Sequence, residues 1–333
     1  MSTLAVNLDA GMQLVNQRIE AILAGSNRMV TAYVASVGRS RGKRIRPRLM
    51  MALSSACGEA PLASVANCAA CCELLHTASL IHDDVIDEAD KRRGEATLNH
   101  RFGNEIAVVV GDYILALLLS SLNQERDFTL VDMLINTSQE LGLGVIREVN
   151  DRDNFALSAD KYYEMIYLKT AALFCLACRM GAYLSGADAS VQELAVRYGR
   201  QLGLAFQVVD DLLDLTQDAK VTGKPSFNDV REGRVTLPFI HACAEAPEET
   251  RALYVALQVG PDAQLEQQLR EHLTQLGSLR YTYDQAQGLL AEARVAGERL
   301  CGLLAQPELD EELKRIEQQV LHALPQVISM ALP

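Results

Sequence analysis

The chain has no tryptophan, only nine prolines among 333 residues, and 5% aromatic residues. Little in it interrupts helices or builds sheets, and Ala, Leu, Glu and Gln dominate, so helix is favoured over strand. Positive charge is scarce: 31 basic residues stand against 43 acidic ones, a net charge of −12. That excludes non-specific nucleic-acid binding, which needs a basic face. A Gly-x-x-x-x-Gly-Lys-Ser/Thr loop is missing, which weighs against nucleotide hydrolysis. No Ser-His or Cys-His pair announces a nucleophile. Met1 to Ala10 carries an acid and no basic residue, so no secretory signal is expected. Eight cysteines, at 57, 68, 71, 72, 175, 178, 243 and 301, fall mostly in apolar helical patterns. They are expected to be buried thiols in a cytoplasmic protein. The apolar stretch Ile106 to Leu122 is 17 residues long and includes Gly111-Asp112. It falls short of the about 20 residues that a membrane span needs. The expectation is a buried core helix and no integral membrane segment. Hydrophobic residues at 49% and charged ones at 22% suit a globular protein. Without a linker, a single domain over 1–333 is expected.

What the chain does have is two acidic clusters, each closing an apolar run. The first is Leu80-Ile81-His82-Asp83-Asp84-Val85-Ile86-Asp87. On a helix Asp83 and Asp87 share one face, about 6 Å apart along the axis. Carboxylates that close repel, so they are tolerated with a cation between them or in solvent. The second is Asp210-Asp211-Leu212-Leu213-Asp214, with the same two acids, two apolar residues and a third acid. Its recurrence favours divalent cations held by oxygen ligands, Mg²⁺ above all when phosphates complete the shell.

Basic residues stand out against the acidic background. Six occur in Gly38-Arg39-Ser40-Arg41-Gly42-Lys43-Arg44-Ile45-Arg46-Pro47-Arg48. This segment reads either as a solvated loop or as an anion site presenting Lys43 and Arg46. Arg92 and Arg93 are adjacent and suit two different anions. Lys169-Thr170 sits within apolar Ile166 and Ala171 to Phe174, where a lysine either snorkels or meets an anion. Lys224 follows the second acidic cluster. Cys68, Cys71, Cys72 and His76 share a helix and do not make the usual paired zinc clusters; His76 is better read as a donor to an anion. This much cationic charge fits two diphosphates: one chelated through metal by the acids, the other held by basic side chains. Apolar helices around them imply hydrocarbon for the remainder of each ligand. The metals and lysines would stabilise a departing diphosphate, and a dry cavity would protect the resulting cation.

These residues resemble the trans-isoprenyl diphosphate synthases, or polyprenyl synthetases, over nearly the full length. The resemblance is carried by Gly42-Lys43-Arg44-Ile45-Arg46-Pro47, His76, Asp83-Asp84-Val85-Ile86-Asp87, Arg92-Arg93-Gly94, Gly111-Asp112-Tyr113, Lys169-Thr170, Phe206-Gln207, Asp210-Asp211-Leu212-Leu213-Asp214 and Gly223-Lys224-Pro225. It implies an all-α fold of long helices around a central cavity, and a homodimer. By the same resemblance Asp83, Asp87 and Asp210 ligate three Mg²⁺ ions with the allylic diphosphate, and Asp84, Asp211 and Asp214 belong to the same metal clusters. Arg92, Lys169 and Lys224 contact that diphosphate. Lys43, Arg46, His76 and Arg93 hold isopentenyl diphosphate, while Thr170 and Gln207 turn oxygens toward the allylic cation. Ala78 and Ser79, one turn before Asp83, are small where short-chain members often place aromatic rings. The implied product is therefore longer than farnesyl, and the wording from His76 to His82 looks most like the long-chain synthases that make quinone side chains. Peripheral membrane association would serve release of such a product.

Three departures accompany the resemblance. Arg147-Glu148 stands where the family often has acids and a glutamine, Arg234 stands for the usual lysine, and the C-terminus Ile328 to Pro333 is uncharged. A terpene cyclase is the competing enzyme class, but it usually lacks the second Asp triplet and the isopentenyl-binding bases. A geranylgeranyl or farnesyl diphosphate synthase, and a subunit of a heteromeric synthase, are the remaining alternatives.

Overall fold

The computed structural model describes residues 3–25, 27, 29–37, 42–92, 94–216, 226–260 and 262–321. Arg93, Lys224, the basic residues 39 and 41, and the 328–333 tail lie outside the described residues. Two compact units are distinguished. The first comprises Met1–Leu141, Ala172–Arg200 and Ala293–Ile316; the second comprises Gly142–Ala171, Gln201–Glu292 and Glu317–Pro333.

In the first unit, α1 (Thr3–Ala24), α2 (Thr31–Val37), α3 (Ile45–Cys57) and α4 (Leu62–Ile86) follow one another. A two-stranded hairpin, β1 (Lys91–Arg92) with β2 (Glu95–Ala96), pairs Lys91 with Ala96 and Arg92 with Glu95. Gly94, at φ 82°, supplies the left-handed residue that the turn requires. α5 (Leu98–Phe102) is capped by Thr97, whose hydroxyl accepts from the His100 amide, and α6 (Asn104–Leu122) follows. α7 (Phe128–Asn150) begins in this unit, and α9 (Ala172–Leu184) lies within it.

α4 is apolar on every side and accordingly sits in the core, packed against α1, α3, α6 and α9. Its Ala and Cys residues allow close approach; Cys68, Cys71 and Cys72 are fully buried. All eight cysteines are free thiols, six of them buried. Close packing recurs where α9 meets α3: a Cβ on Gly181 would lie 2.7 Å from the Met50 carbonyl oxygen. A buried polar knot joins α1, α4 and α6. Arg18 Nε and Ser121 Oγ each donate to Asn67 Oδ1 at 2.7 Å, while Asn67 Nδ2 donates to the Ser121 carbonyl at 3.1 Å. A second Nδ2 bond, to Glu125 Oε1 at 2.5 Å, completes the side-chain acceptor and donor capacity of Asn67.

The apolar stretch in α6 is a helix, as expected, but not a buried core helix. With the 3₁₀ turn that follows, it runs Asn104–Glu125, 22 residues, and 39% of its most apolar window is buried. Val109 is 61% exposed. By length and composition, three helical stretches suffice to cross a membrane: this one, Leu62–Ile86 (72% buried) and Ala159–Leu184 (78% buried). The sequence reading therefore erred in excluding α6 by length, because the helix extends beyond the apolar run at both ends.

The second unit holds α8 (Ala159–Ile166), a π-helical turn Tyr167–Ala171, the C-terminal part of α10 (Ala189–Thr216), and α11 (Asn228–Arg231). α12 (Leu237–Glu245), α13 (Pro247–Val259) and α14 (Ala263–Gln275) complete most of it. Pro238 and Pro247 sit in first turns, where a missing N–H costs nothing. Tyr254 stacks edge-on to both Phe155 and Phe239, with centroids 5.1 and 5.0 Å away. α15 (Ser278–Leu304) and α16 (Pro307–Leu321) end the described chain.

Candidate active site

The first acidic cluster closes α4. Asp83 and Asp84 are buried, whereas Asp87 is half-buried at the C-cap, its amide bonded to the Asp83 carbonyl. The middle acid is already engaged. Arg92 Nε, on the hairpin, donates to Asp84 Oδ1 at 2.7 Å. Burial pushes the Asp84 carboxyl above its ordinary range, and Arg92 only partly offsets this. A guanidinium has five donors, so one bond to Asp84 leaves Arg92 capacity for a phosphate. Asp84 thus aims Arg92 as much as it adds charge.

Against the middle of α4 stands the basic segment. Arg44, at φ 53°, pairs with buried Glu73 at 3.4 Å, fastening the loop beside the face that carries His76. Arg46 is buried in the first turn of α3, its guanidinium 4.6 Å above the Phe174 ring. Lys43 is exposed and His76 is half-buried. Sequence reasoning missed Glu73, although an acid in the apolar middle of the helix was a signal for a buried ion pair. Ala78 is fully buried; Ser79 is half-buried, and its hydroxyl donates to the His76 carbonyl at 2.9 Å.

The second cluster is better organised still. Asp210 is exposed, but its two companions are occupied. Asp211 is buried, accepting from Tyr162 Oη at 2.6 Å and from Gln207 Nε2 at 2.7 Å. Gln207 Oε1 in turn accepts from Thr170 Oγ1 at 2.6 Å. Asp214 accepts the backbone amides of Asn228 and Asp229, both at 3.1 Å, and so anchors the first turn of α11. Burial first, then the proximity of Asp229, holds the Asp211 and Asp214 carboxyls well above the usual range.

Adjacent residues on an α-helix point about 100° apart. The π turn at Tyr167–Ala171 inserts an extra residue, a feature common at functional sites, and Lys169 and Thr170 both line one cavity. Gln207, Asp211, Asp229, Arg234 and Glu148 share it, with Leu157, Met165, Ile166 and Val235 as apolar wall. Lys169 Nζ donates to both Glu148 oxygens, at 2.7 and 2.8 Å. Close approach of α7 to this turn depends on Gly144, whose added Cβ would lie 2.8 Å from the Lys169 nitrogen and 3.0 Å from Leu168 Cβ. Gly144→Ala is therefore expected to destabilise the protein by about 1–3 kcal/mol and to lower turnover. Thermal melts and steady-state rates check this; wild-type values for both would contradict it.

Among the described residues no three His, Cys, Asp or Glu side chains group closely enough to hold a metal by themselves. The donor set nonetheless fits Mg²⁺. It is made of carboxylate oxygens, and this ion is ordinarily bound by one or two carboxylates with phosphate and water completing the octahedron.

The chain belongs to the polyprenyl synthetase family, whose model matches residues 27–276. It is 35% identical to the octaprenyl diphosphate synthase of Escherichia coli K12 over 284 residues, 84% of this chain and 82% of that protein. It is 33% identical to a short chain isoprenyl diphosphate synthase of Methanothermobacter thermautotrophicus, covering 91% and 90% respectively. The polyprenyl synthase of Caulobacter crescentus CB15, crystallised with calcium and isoprenyl diphosphate, superposes with a TM-score of 0.86 at 28% identity over 96% of both chains. The fold is the all-α isoprenoid-synthase fold, and the protein is a prenyltransferase that condenses isopentenyl diphosphate with an allylic diphosphate.

Proposed function

We propose that this prenyltransferase extends an allylic primer by successive trans head-to-tail condensations to a polyprenyl diphosphate longer than farnesyl. One observation supports its chemistry best: the hydrogen-bonded chain Tyr162–Asp211–Gln207–Thr170 beside Lys169, in a cavity with an apolar wall. Thr170 donates its O–H hydrogen bond to Gln207 Oε1, which leaves the hydroxyl's lone pairs available to an adjacent carbocation. Lys169 and Arg92 hold the allylic diphosphate, joined by Lys224. Lys43, Arg46, His76 and Arg93 hold isopentenyl diphosphate. Asp83, Asp87 and Asp210 ligate three Mg²⁺ ions together with the allylic diphosphate. Bound Mg²⁺ supplies Lewis-acid stabilisation of the departing diphosphate. The allylic C–O bond breaks, the isopentenyl double bond attacks the cation, and the released diphosphate takes the proton. Leu157, Met165, Ile166 and Val235 keep water from the cation.

Asp84, Asp211 and Asp214 act mainly as organisers in this reading, because their oxygens already serve Arg92, Gln207 with Tyr162, and α11. Asp211→Asn should then lower kcat about 10–100-fold, as loss of an outer-shell partner does, with the Mg²⁺ requirement unchanged. A large rise in the Mg²⁺ concentration for half-maximal rate would instead make Asp211 a ligand.

Product length rests on Ala78 and Ser79, since the relatives include both an octaprenyl and a short-chain synthase. The chain works as one catalytic domain over 1–333, in a cytoplasmic homodimer. Exposed Val108 and Val109 on α6 and Phe128, Ile135 and Ile146 on α7 supply the subunit contact, and peripheral membrane association aids product release. The reaction is tested by following diphosphate release from purified protein. Release should need isopentenyl diphosphate, an allylic primer and Mg²⁺ together; release from an allylic diphosphate alone would indicate a cyclase.

A further inference from the structure

Glu148 has no part in the steps above, yet it sits among their cations. It is buried near the end of α7, and Lys169 Nζ donates to both of its oxygens at 2.7 and 2.8 Å. Arg234 Nε lies 3.1 Å from Oε1, and the same guanidinium reaches Asp229 at 3.2 Å and Glu232 at 2.5 Å. A carboxylate this deeply buried keeps its charge only when paired. Burial pushes its pKa up, but Arg234 and Lys169 outweigh burial and hold it below the ordinary range. Two carboxylate oxygens gripping one ammonium and one guanidinium present the same chemistry as two oxygens of a phosphate. All three side chains line the cavity that also holds Thr170.

We propose that Glu148 is a positioning residue of the diphosphate site: an internal anion that holds Lys169 and Arg234 ready and from which an incoming diphosphate must draw Lys169. This rests on the reading of Lys169 as a diphosphate ligand. Glu148 keeps the ammonium aimed into the cavity while substrate is absent, and it weakens the cavity's hold on any second anion. The allylic KM is thereby raised, and diphosphate leaves more readily after each condensation. Glu148→Gln keeps the shape and one acceptor but removes the competing charge.

The test is calorimetric titration of inorganic diphosphate onto the full-length, Mg²⁺-saturated protein, alongside steady-state kinetics. Glu148→Gln should bind inorganic diphosphate about tenfold more tightly and lower the allylic KM in proportion, a size typical of coupled sites. Glu148→Asp, which keeps the charge but withdraws it by one methylene, should shift both in the same direction by less, and it serves if the glutamine variant does not fold. In the background of Lys169→Gln the effect of Glu148→Gln should shrink to what Arg234 alone contributes. Unchanged or weaker diphosphate binding by a folded Glu148 variant, or an undiminished effect without Lys169, overturns the proposal. If Lys169→Gln alone leaves diphosphate affinity at the wild-type value, the reading of Lys169 as a ligand falls, and the proposal with it. If Lys169→Gln weakens binding and Glu148→Gln does nothing, only the role of Glu148 is refuted.

Discussion

Replacing Asp210 by alanine is expected to reduce kcat by about a thousandfold or more, the scale on which charge stabilisation at a leaving group contributes. Asp210 is exposed and, among the described residues, caps no helix, in contrast with Asp214, so the variant should fold with wild-type stability. The matching change in the first cluster, Asp83→Asn, should lose activity on the same scale. It keeps the side-chain volume because Asp83 is buried. If both clusters serve one metal-bound diphosphate, the double variant should be little worse than either single one, since groups that act as a unit are strongly non-additive. Losses that multiply would mean that the clusters act independently. A single variant retaining more than roughly a tenth of wild-type turnover would remove that residue from the metal site, given the scale above.

Ala78→Phe carries the second large effect, on product rather than rate. Ala78 lies five residues before Asp83, about 7.5 Å back along α4 from the acidic cluster. If, as proposed, the hydrocarbon tail is anchored by its diphosphate at Asp83 and runs toward the helix N-terminus, it passes this position early. The residue is fully buried, so on that path a phenyl ring would block the tail, and otherwise it would overpack the core. Overpacking costs about 1–3 kcal/mol and would show in a thermal melt. The expected result is a folded enzyme whose main product is shorter than that of the wild type, with consumption of the first isopentenyl unit largely intact. The wild-type product distribution from folded Ala78→Phe would sink the assignment of chain-length control to this turn.

Much of this was legible in the sequence because the signals are local. The apolar runs that the two acidic clusters close are the helices α4 and α10. Both acidic clusters, Lys169-Thr170 and Gln207 stand out as polar residues in apolar helices. What could not be read depends on partners distant in the chain. Tyr162 meets Asp211 across 49 positions, and Lys169 meets Glu148 across 21. No spacing rule links such pairs, so the acids looked alike as ligands, although their hydrogen bonds now separate Asp210 from Asp211 and Asp214. The π turn is hidden for a different reason. One inserted residue shifts the helical phase only after Ala171, and the apolar stretch on both sides masks the shift. The fate of α6 was obscured by its composition, since an apolar helix reads the same whether its face is covered by its own chain or left exposed.

The central claim is that this chain condenses isopentenyl diphosphate repeatedly onto an allylic primer. Purified protein with Mg²⁺, labelled isopentenyl diphosphate and geranyl, farnesyl or geranylgeranyl diphosphate, followed by chromatography of the dephosphorylated products, tests it most directly. Label is expected in prenyl alcohols longer than farnesol, with chelation of Mg²⁺ abolishing their formation. No condensation with any of the three primers, or a product no longer than farnesol, would contradict it.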